Sequence, residues 1–282
     1  MKIAIASGKG GTGKTLVATN LAVVAARAGN PVHLLDCDVE EPNVHIFLRP
    51  GAAHEREVAI ANPVVSDELC TGCGECAQVC QFNALAVVRD RVLFFPELCH
   101  GCAACWTLCP EGVITEGRRP IGRVTGGDTG ISGLRVTYGI LHPGEALAPP
   151  IINQVKSMAG EGVTLIDAPP GTACPAVEAV RGSDFCLLVT EPTPFGRHDL
   201  ELAVEMTRAL DVPVGAVINR ADVGERAVWD FCWRENIPVL LEIPFSRQMA
   251  ELYAGGQLAA LASDEWRAVF TRLWHRLREV AA

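Results

Sequence analysis

The sequence lacks two features that would direct it to a membrane or to nucleic acid. It contains no apolar run of about 20 residues, the length that a membrane-spanning helix needs, and its first residues predict a strand rather than a signal peptide. Basic residues are outnumbered, with 24 Lys and Arg against 33 Asp and Glu and a net charge of −9. This balance argues against a general nucleic-acid surface. We therefore expect a cytoplasmic protein without a nucleic-acid partner.

Cysteine, by contrast, is abundant, with 12 residues in a chain of 282. Disulfides are not expected, because the cytosol keeps thiols reduced. Two segments repeat, ELCTGCGECAQVC at 68–80 and ELCHGCAACWTLC at 97–109. Each carries the spacing C-x₂-C-x₂-C-x₃-C, which is the pattern of bacterial two-cluster ferredoxins. The spacing therefore predicts two [4Fe-4S] clusters.

The predicted cluster ligands cross between the two repeats. In this pattern three closely spaced thiolates bind one cluster, and the fourth reaches the other cluster. One cluster would take Cys70, Cys73, Cys76 and Cys109, and the other would take Cys99, Cys102, Cys105 and Cys80. Zinc is the alternative, since CxxC pairs also bind zinc. A zinc site with four ligands gives no reason, however, for a third cysteine and a delayed fourth in both repeats.

A phosphate-binding motif opens the sequence. MKIAIAS predicts a buried strand, GKGGTGKT at 8–15 fits G-x-x-x-x-G-K-[ST], and LVATNLAVVAARAG predicts a helix. The glycines let successive backbone N–H groups face the phosphates of ATP. Lys14 is expected to reach the β- and γ-phosphates, and the Thr15 hydroxyl is expected to bind Mg²⁺. The other predicted nucleotide contacts in the loop are Gly8, Gly10, Gly11, Thr12 and Gly13.

The loop holds a second lysine, Lys9, which the motif does not require. Its position two residues into the loop is poor for contact with its own phosphates and favours an outward direction. In a face-to-face dimer, Lys9 would contact the phosphates bound to the other copy, as an arginine finger supplied in trans does. A solvated surface lysine is the alternative on spacing alone.

The segment KGGTGKT resembles the deviant Walker A loop of the MinD, ParA, Mrp and nitrogenase iron protein group. Its members are ATP-dependent dimers that use the early lysine across the interface. LLDCDVEEPN at 34–43 resembles the group's switch I, VTLIDAPPG at 163–171 its Walker B strand and switch II, and VGAVINR at 214–220 its adenine-contacting strand end. The resemblance covers most of residues 1–50 and 118–282. It implies a mostly parallel α/β sheet of the P-loop NTPase class and a homodimer on ATP binding.

The same resemblance implies roles for individual residues. Asp38 is expected to position the attacking water or a Mg²⁺-bound water, and Asp167 is expected to hold Mg²⁺ through a water. The Gly171 N–H would sense the γ-phosphate, and Asn219 and Arg220 would contact adenine. For the two aspartates, helix capping or a strand-end turn is the alternative.

The cysteine repeats interrupt the ATPase sequence. We predict residues 1–62 as the first part of a P-loop ATPase domain, 63–117 as an inserted small α+β ferredoxin-like module, and 118–282 as the second part. This arrangement resembles the MinD-superfamily ATPases that carry an inserted ferredoxin domain. The segment at 264–280 predicts an amphipathic helix, which we expect to pack on its own sheet rather than to bind a membrane.

Redox coupling is the function that the motifs favour. ATP-dependent dimerisation would be coupled to electron transfer through the clusters, with an unidentified redox or cofactor-assembly protein as partner. The alternatives are an assembly or carrier ATPase for iron-sulfur or other metal cofactors, and a ParA-like positioning ATPase whose clusters sense redox state. Four cysteines per cluster from one chain favour retained clusters, because carriers in this superfamily share a CxxC pair across the dimer. No CxxC pair lies outside the predicted module.

Overall fold

The computed structural model describes residues 1–51 and 53–281. The strands, in chain order, are β1 (Lys2–Ala6), β2 (Val32–Asp36), β3 (His54–Val65), β4 (Leu85–Val88), β5 (Arg91–Phe94), β6 (Ile114–Asp128), β7 (Leu134–Leu141), β8 (Val163–Asp167), β9 (Phe185–Thr190), β10 (Val214–Asn219) and β11 (Val239–Ile243). The helices are α1 (Lys14–Arg27), α2 (Val44–Leu48), α3 (Glu75–Val79), α4 (Ala104–Thr107), α5 (Pro149–Ser157), α6 (Cys174–Val180), α7 (Pro194–Ala209), α8 (Ala227–Arg234), α9 (Arg247–Ala254), α10 (Ala259–Ala262) and α11 (Asp264–Val280).

Nine strands form one sheet in the order β11-β10-β9-β1-β8-β2-β7-β6-β3. The strands from β11 to β7 are parallel, whereas β6 and β3 join as antiparallel neighbours at one edge. The central strands β2, β8 and β9 are buried along their whole length, as parallel strands covered on both faces must be. The predicted mostly parallel α/β fold of the P-loop NTPase class is confirmed. Because parallel strands end at the same edge, the loops after β1, β2, β8 and β10 meet there.

Helices cover both faces of the sheet. One apolar cluster joins α1, α10 and α11 to the sheet, and the other joins α5, α6, α7 and α8. The apolar stripe of α11 is buried and packs against α1, so the expected packing of the last helix on its own domain is confirmed. Among the described residues, no helix combines the length and apolarity needed to cross a bilayer.

The cysteine repeats lie between β3 and β6, which pair as a long antiparallel ribbon from His54 opposite Gly126 to Val65 opposite Ile114. Between the strand ends, the chain forms α3, the hairpin of β4 and β5, a short 3₁₀ helix and α4. These elements share a small apolar core of their own. The part of the chain with the cysteines is therefore held by paired strands that belong to the main sheet.

The base of this ribbon is fixed by buried contacts. The register shifts between Val58 and Ala59, so that Ile121 bulges into the core with no exposed surface. Next to the bulge, Arg119 forms an ion pair with Glu145, whose side chain is only 5% exposed. The Glu145 carboxylate also accepts the backbone N–H groups of Ala146 and Leu147, at 3.0 and 3.1 Å. The ion pair thus joins the ribbon to the loop before α5.

Glu145→Gln is expected to destabilise the fold by about 2 kcal/mol, because removal of one partner leaves the Arg119 charge largely buried without compensation. The change is measured as a lower midpoint of urea unfolding followed by circular dichroism. Glu201→Gln is the matched control, since its pair with Arg197 is more than one-third exposed on both sides and contributes little. Equal midpoints for the two variants would contradict the anchoring role of Glu145.

Candidate nucleotide site and cysteine cavities

The loop between β1 and α1 is tightly held where it enters the helix. Gly13 has a φ of +101°, and a Cβ at this position would lie 2.7 Å from Asn219 Nδ2. The same Nδ2 donates a hydrogen bond to the Thr12 carbonyl at 2.9 Å. At the start of the loop, a Cβ on Gly8 would lie 2.0 Å from the Asp199 carbonyl oxygen. Side chains are therefore excluded at both positions, and Asn219 supports the loop from β10.

Lys14 and Thr15 begin α1 in a buried and charged environment. Burial lowers the pKa of Lys14, and Asp167, Asp38 and Asp36 oppose this shift. The Thr15 hydroxyl donates to Asp167 Oδ2 at 2.7 Å. Asp167 is fully buried, which raises the pKa of its carboxyl group, and its Oδ1 has no hydrogen-bond partner among the described residues. A hydroxyl beside a buried carboxylate with a free oxygen fits the oxygen-ligand chemistry of Mg²⁺.

Asp36, the last residue of β2, and Asp38, which follows the strand, have different surroundings. Asp36 is buried, and its carboxylate accepts backbone N–H groups from Asp38 at 3.1 Å, Asn43 at 2.9 Å and Val44 at 3.0 Å. It thereby fixes the loop that follows β2. Asp38 instead lines the open cavity beside Lys14, and burial raises its pKa to about 6. Asp38 is therefore the carboxylate of this loop that a bound nucleotide would meet.

A cavity of about 380 Å³ extends from the loop of β1 towards α9. It brings together Lys14, Thr15, Asp38, Asn219 and Arg220 with the predicted loop residues Gly10, Gly11 and Gly13. Gly8, Thr12 and Asp167 support the cavity from behind rather than line it. Its size and its mixture of polar and apolar walls suit a nucleotide.

Gly171 does not face this cavity in the structure. Its N–H donates to the Ser7 carbonyl at 2.9 Å, which ties the loop after β8 to the end of β1. A role for this N–H in sensing a γ-phosphate requires that bond to break. This bond is not predictable from the sequence, because Ser7 and Gly171 are far apart in the chain and meet only through the sheet order.

Several residues that line the cavity were missed by the sequence reasoning. They are Glu41, Asn43, Pro170, Met249 and Tyr253. Ser246 caps α9 by accepting the Met249 N–H at 3.2 Å, and helical spacing then brings Met249 and Tyr253 to one face. The cap and the spacing are visible in the sequence IPFSRQMAELY. The direction of that face follows only from the position of β11 in the sheet.

Lys9 lies outside the cavity with a side chain that is 32% exposed. Its Nζ lies 4.0 Å from Oε2 of Glu191, a largely buried carboxylate that also pairs with the Arg220 guanidinium at 3.1 Å. Arg220 thus contacts the cavity and an acidic residue at once. Lys9 is thus paired within its own chain, and its contact with the phosphates of another copy stays a prediction.

The eight repeat cysteines line two separate cavities, which we call the first and the second cysteine cavity. The first is lined by Cys70, Cys73, Cys76 and Cys109, and the second by Cys80, Cys99, Cys102 and Cys105. These are the two sets that the crossed pattern groups together. The helices α3 and α4, each preceded by a turn with positive φ, pack against one another between the two cavities. Iron binding itself stays a prediction.

The thiols surround these cavities rather than meet at one point. Within residues 1–51 and 53–281, no group of three or more His, Cys, Asp or Glu side chains converges as a single metal ion requires. A cubane cluster needs a wider arrangement, because each of its irons takes one cysteine. Burial raises the pKa of Cys105 to about 11, so thiolate formation there needs compensation by bound positive charge. The donor set thus fits clusters better than a single zinc ion.

The remaining cysteines lie elsewhere. Cys186 and Cys232 are buried in the core, and Cys37 is also fully buried. Cys174 is exposed at the start of α6. None of these four lines either cysteine cavity.

Comparisons with known proteins agree with the fold. Residues 3–259 match the family model described as CbiA, the CobQ/CobB/MinD/ParA nucleotide binding domain. The uncharacterized protein MJ0578 of Methanocaldococcus jannaschii is 31% identical over 284 residues, which cover 99% of this chain and 97% of that protein. The MinD septum site-determining protein of Pyrococcus horikoshii OT3, solved with Mg-ADP, has a TM-score of 0.63 at 19% identity, covering 100% of this chain and 97% of its own.

A shorter similarity concerns iron-sulfur proteins. The iron-sulfur cluster carrier protein of Synechocystis sp. is 54% identical over 46 residues, which are 16% of this chain and 13% of that protein. A match of this length covers only a segment of either chain.

Cys109→Ala is expected to damage only the cluster of the first cysteine cavity, although residue 109 belongs to the second repeat. Iron after anaerobic reconstitution should fall from about eight to about four atoms per chain, because each cubane holds four irons. Cys174→Ala is the control and should keep the full iron content. A Cys109 variant with unchanged iron and unchanged EPR spectra would refute the crossed ligation.

Proposed function

Because the chain belongs to the CobQ/CobB/MinD/ParA nucleotide-binding domain family, we propose that it hydrolyses ATP and couples ATP-dependent homodimerisation to electron transfer through two [4Fe-4S] clusters. The observation that carries this proposal is the placement of both sites on one sheet. The nucleotide cavity lies at the ends of its central strands, and the cysteine cavities lie at the end of its edge ribbon.

On the nucleotide side, each residue has a task that its geometry supports. Lys14 and the glycine loop bind the phosphates, and Thr15 with Asp167 binds Mg²⁺. Asp38, beside Lys14, orients the attacking water. Its carboxyl, with a pKa of about 6, is mostly ionised at pH 7 and accepts a hydrogen bond from that water. Lys9 of the second copy approaches the phosphates from outside.

On the cysteine side, the chain supplies four thiolates to each cavity. A bound cluster would give or accept one electron at a time. The cysteines hold it from several elements at once, since Cys109 and Cys80 come from the opposite repeat. Such a site favours a retained cluster.

A short series of backbone contacts joins the two sides. Next to Asp38, the Val39 carbonyl accepts the Leu141 N–H at 2.8 Å, and the following N–H of His142 donates to the Ile121 carbonyl at 2.9 Å. Ile121 is the bulge residue at the base of the ribbon. A movement of the loop after β2 on nucleotide binding would therefore act directly on the strands that hold the cysteines. This contact supports coupling rather than two independent activities.

An assembly or carrier role is the second candidate. The short similarity to iron-sulfur cluster carrier proteins favours it. Complete sets of four cysteines from one chain count against it, because a transferred cluster needs labile ligands. A ParA-like positioning role remains a third candidate. The net charge of −9 gives it no support as far as nucleic acid is concerned.

Of the two loop lysines, Lys14 is expected to support nucleotide binding and Lys9 to support dimerisation. Lys14→Ala should weaken binding of a slowly hydrolysed ATP analogue by about 100-fold, or about 2.7 kcal/mol, measured by calorimetry. Lys9→Ala should bind the analogue normally but stay monomeric in light scattering, because the contact across the dimer is lost. Lys2→Ala, outside both sites, serves as control. A Lys9 variant that still dimerises with the analogue would refute the trans contact.

The coupling itself is tested by the midpoint potentials of the clusters. Anaerobic redox titration with EPR detection should show a shift of about 60 mV, or about 1.4 kcal/mol for one electron, when Mg²⁺ and the analogue are added. Lys14→Ala should show no shift at an analogue concentration that just saturates the native chain, because its roughly 100-fold weaker binding leaves it almost free of analogue. Potentials that stay unchanged in the native chain would remove the support for redox coupling and favour the assembly role.

A further inference from the structure

The two cysteine cavities come from one repeated motif but differ in their surroundings. The first cavity is lined by two carboxylates, Glu75 and Glu111. The second has no Asp, Glu, Lys or Arg in its wall and is lined by aromatic side chains, among them Phe82 and Trp106. The shared cysteine spacing of the two repeats does not account for this difference.

The packing of the two motif loops also differs. A Cβ on Gly101, in the second motif, would lie 2.8 Å from the Ala61 carbonyl of β3, so this loop rests on the ribbon. The equivalent Gly72 of the first motif would place a Cβ 2.7 Å from Asp90 Cα, in the turn between β4 and β5. The second cavity therefore borders the ribbon that leads to the ATPase, whereas the loop of the first motif rests on the small hairpin.

Apolar side chains are exposed beside the first cavity. Leu69 precedes Cys70 and is 69% exposed, and Leu108 precedes Cys109 and is 58% exposed. Cys70 and Cys109 line the same cavity, so each leucine is bonded in the chain to a residue of its wall. Exposed large apolar groups grouped with charged ones are typical of protein interaction sites.

From these observations we propose that the rim of the first cysteine cavity, formed by Leu69, Glu75, Leu108 and Glu111, is the docking surface for a one-electron carrier protein with a basic rim. The inference rests on the proposed redox function and adds the surface and the partner's chemistry to it. One electron passes between the partner's redox centre and the adjoining cluster, so one is oxidised as the other is reduced. No bond forms or breaks.

The charge of the partner follows from the charge of this part of the chain. Residues 66–113 contain six acidic residues and two arginines, and the arginines flank the tip of the β4–β5 hairpin. The rim itself carries only carboxylates. A partner with lysines or arginines around an apolar centre is complementary to it, and such complementarity raises the rate of association. An acidic partner would be repelled.

Cross-linking of the holoprotein tests the surface. The probe is cytochrome c, a basic one-electron protein, treated under anaerobic conditions with a carbodiimide that joins carboxylates to lysines. Mass spectrometry should find the cross-links at Glu75, Glu111 or the neighbouring Glu68. Cross-links confined to other carboxylates, including Asp90 and Glu97 of the same segment, would overturn the proposal. This readout uses the native chain and needs no variant.

Affinity provides a second and independent test. The double variant Glu75→Gln with Glu111→Gln should bind cytochrome c about tenfold more weakly at low ionic strength, and the difference should disappear in high salt. The matched control is Glu265→Gln with Glu279→Gln, which removes the same charge from α11. Leu69→Ala with Leu108→Ala should also weaken binding while iron content stays full. Equal losses for both glutamate pairs would show attraction by net charge only and refute a defined surface.

These tests separate this inference from the proposed function. A chain that binds no iron, or whose cluster midpoint potentials stay unchanged when the ATP analogue is added, contradicts the redox function itself. A chain with both clusters and a potential shift, but with the probe bound elsewhere, contradicts only the docking surface.

Discussion

A buried cluster of charges at the carboxyl edge of the sheet is the constraint on which the rest of the site depends. Lys14 faces three carboxylates, those of Asp36, Asp38 and Asp167, and burial raises the pKa of each. Burial of charge is costly unless partners compensate it. Asp36 is compensated by three backbone N–H groups, and Asp167 by the Thr15 hydroxyl. Three carboxylates facing one lysine fit a bound Mg²⁺, whose charge would balance the aspartates while the phosphates of a nucleotide meet the lysine.

The same sheet explains how a second site can be attached without a flexible linker. A parallel sheet covered on both faces can still extend at its edge by an antiparallel ribbon, which tolerates solvent on one face. Here the ribbon of β3 and β6 keeps its hydrogen bonds as far as the cysteine-bearing elements. Its base is held by the Ile121 bulge and by the ion pair of Arg119 with Glu145. The paired strands therefore set the position and orientation of the cysteine-bearing elements relative to the main sheet. A disordered linker would not do so.

Much of the fold and of the candidate sites was predictable from local sequence patterns. The rest depends on the pairing of strands that are far apart in the chain. The loop at 8–15 and the cysteine repeats carry their spacing in short segments, because phosphate binding and cluster binding both need residues close in the chain. The mostly parallel α/β fold was implied by the resemblance to the MinD and ParA group and is confirmed. The ribbon was not predicted, since HEREVAIANPVV does not show that it pairs with residues 114–126. Tyr253 at the cavity and the bond from Gly171 to Ser7 were missed for the same reason, because each depends on the order of strands.

The contacts of Lys9 and of the loop after β2 indicate what coupling between ATP binding and electron transfer would require. The pair of Lys9 with Glu191 is long, and Glu191 also pairs with Arg220, so release of Lys9 for a contact across a dimer would still leave the carboxylate a partner. The energetic link must therefore come from the strand ends, where the loop after β2 meets Leu141 and the bulge residue Ile121. Linkage is reciprocal. If bound ATP shifts a cluster potential by about 60 mV, reduction of that cluster must change the affinity for ATP by the same 1.4 kcal/mol, about tenfold. Under the proposed function, an ATP-bound dimer would therefore be sensitive to the redox state of the clusters, and a partner docked at the first cysteine cavity would act on both.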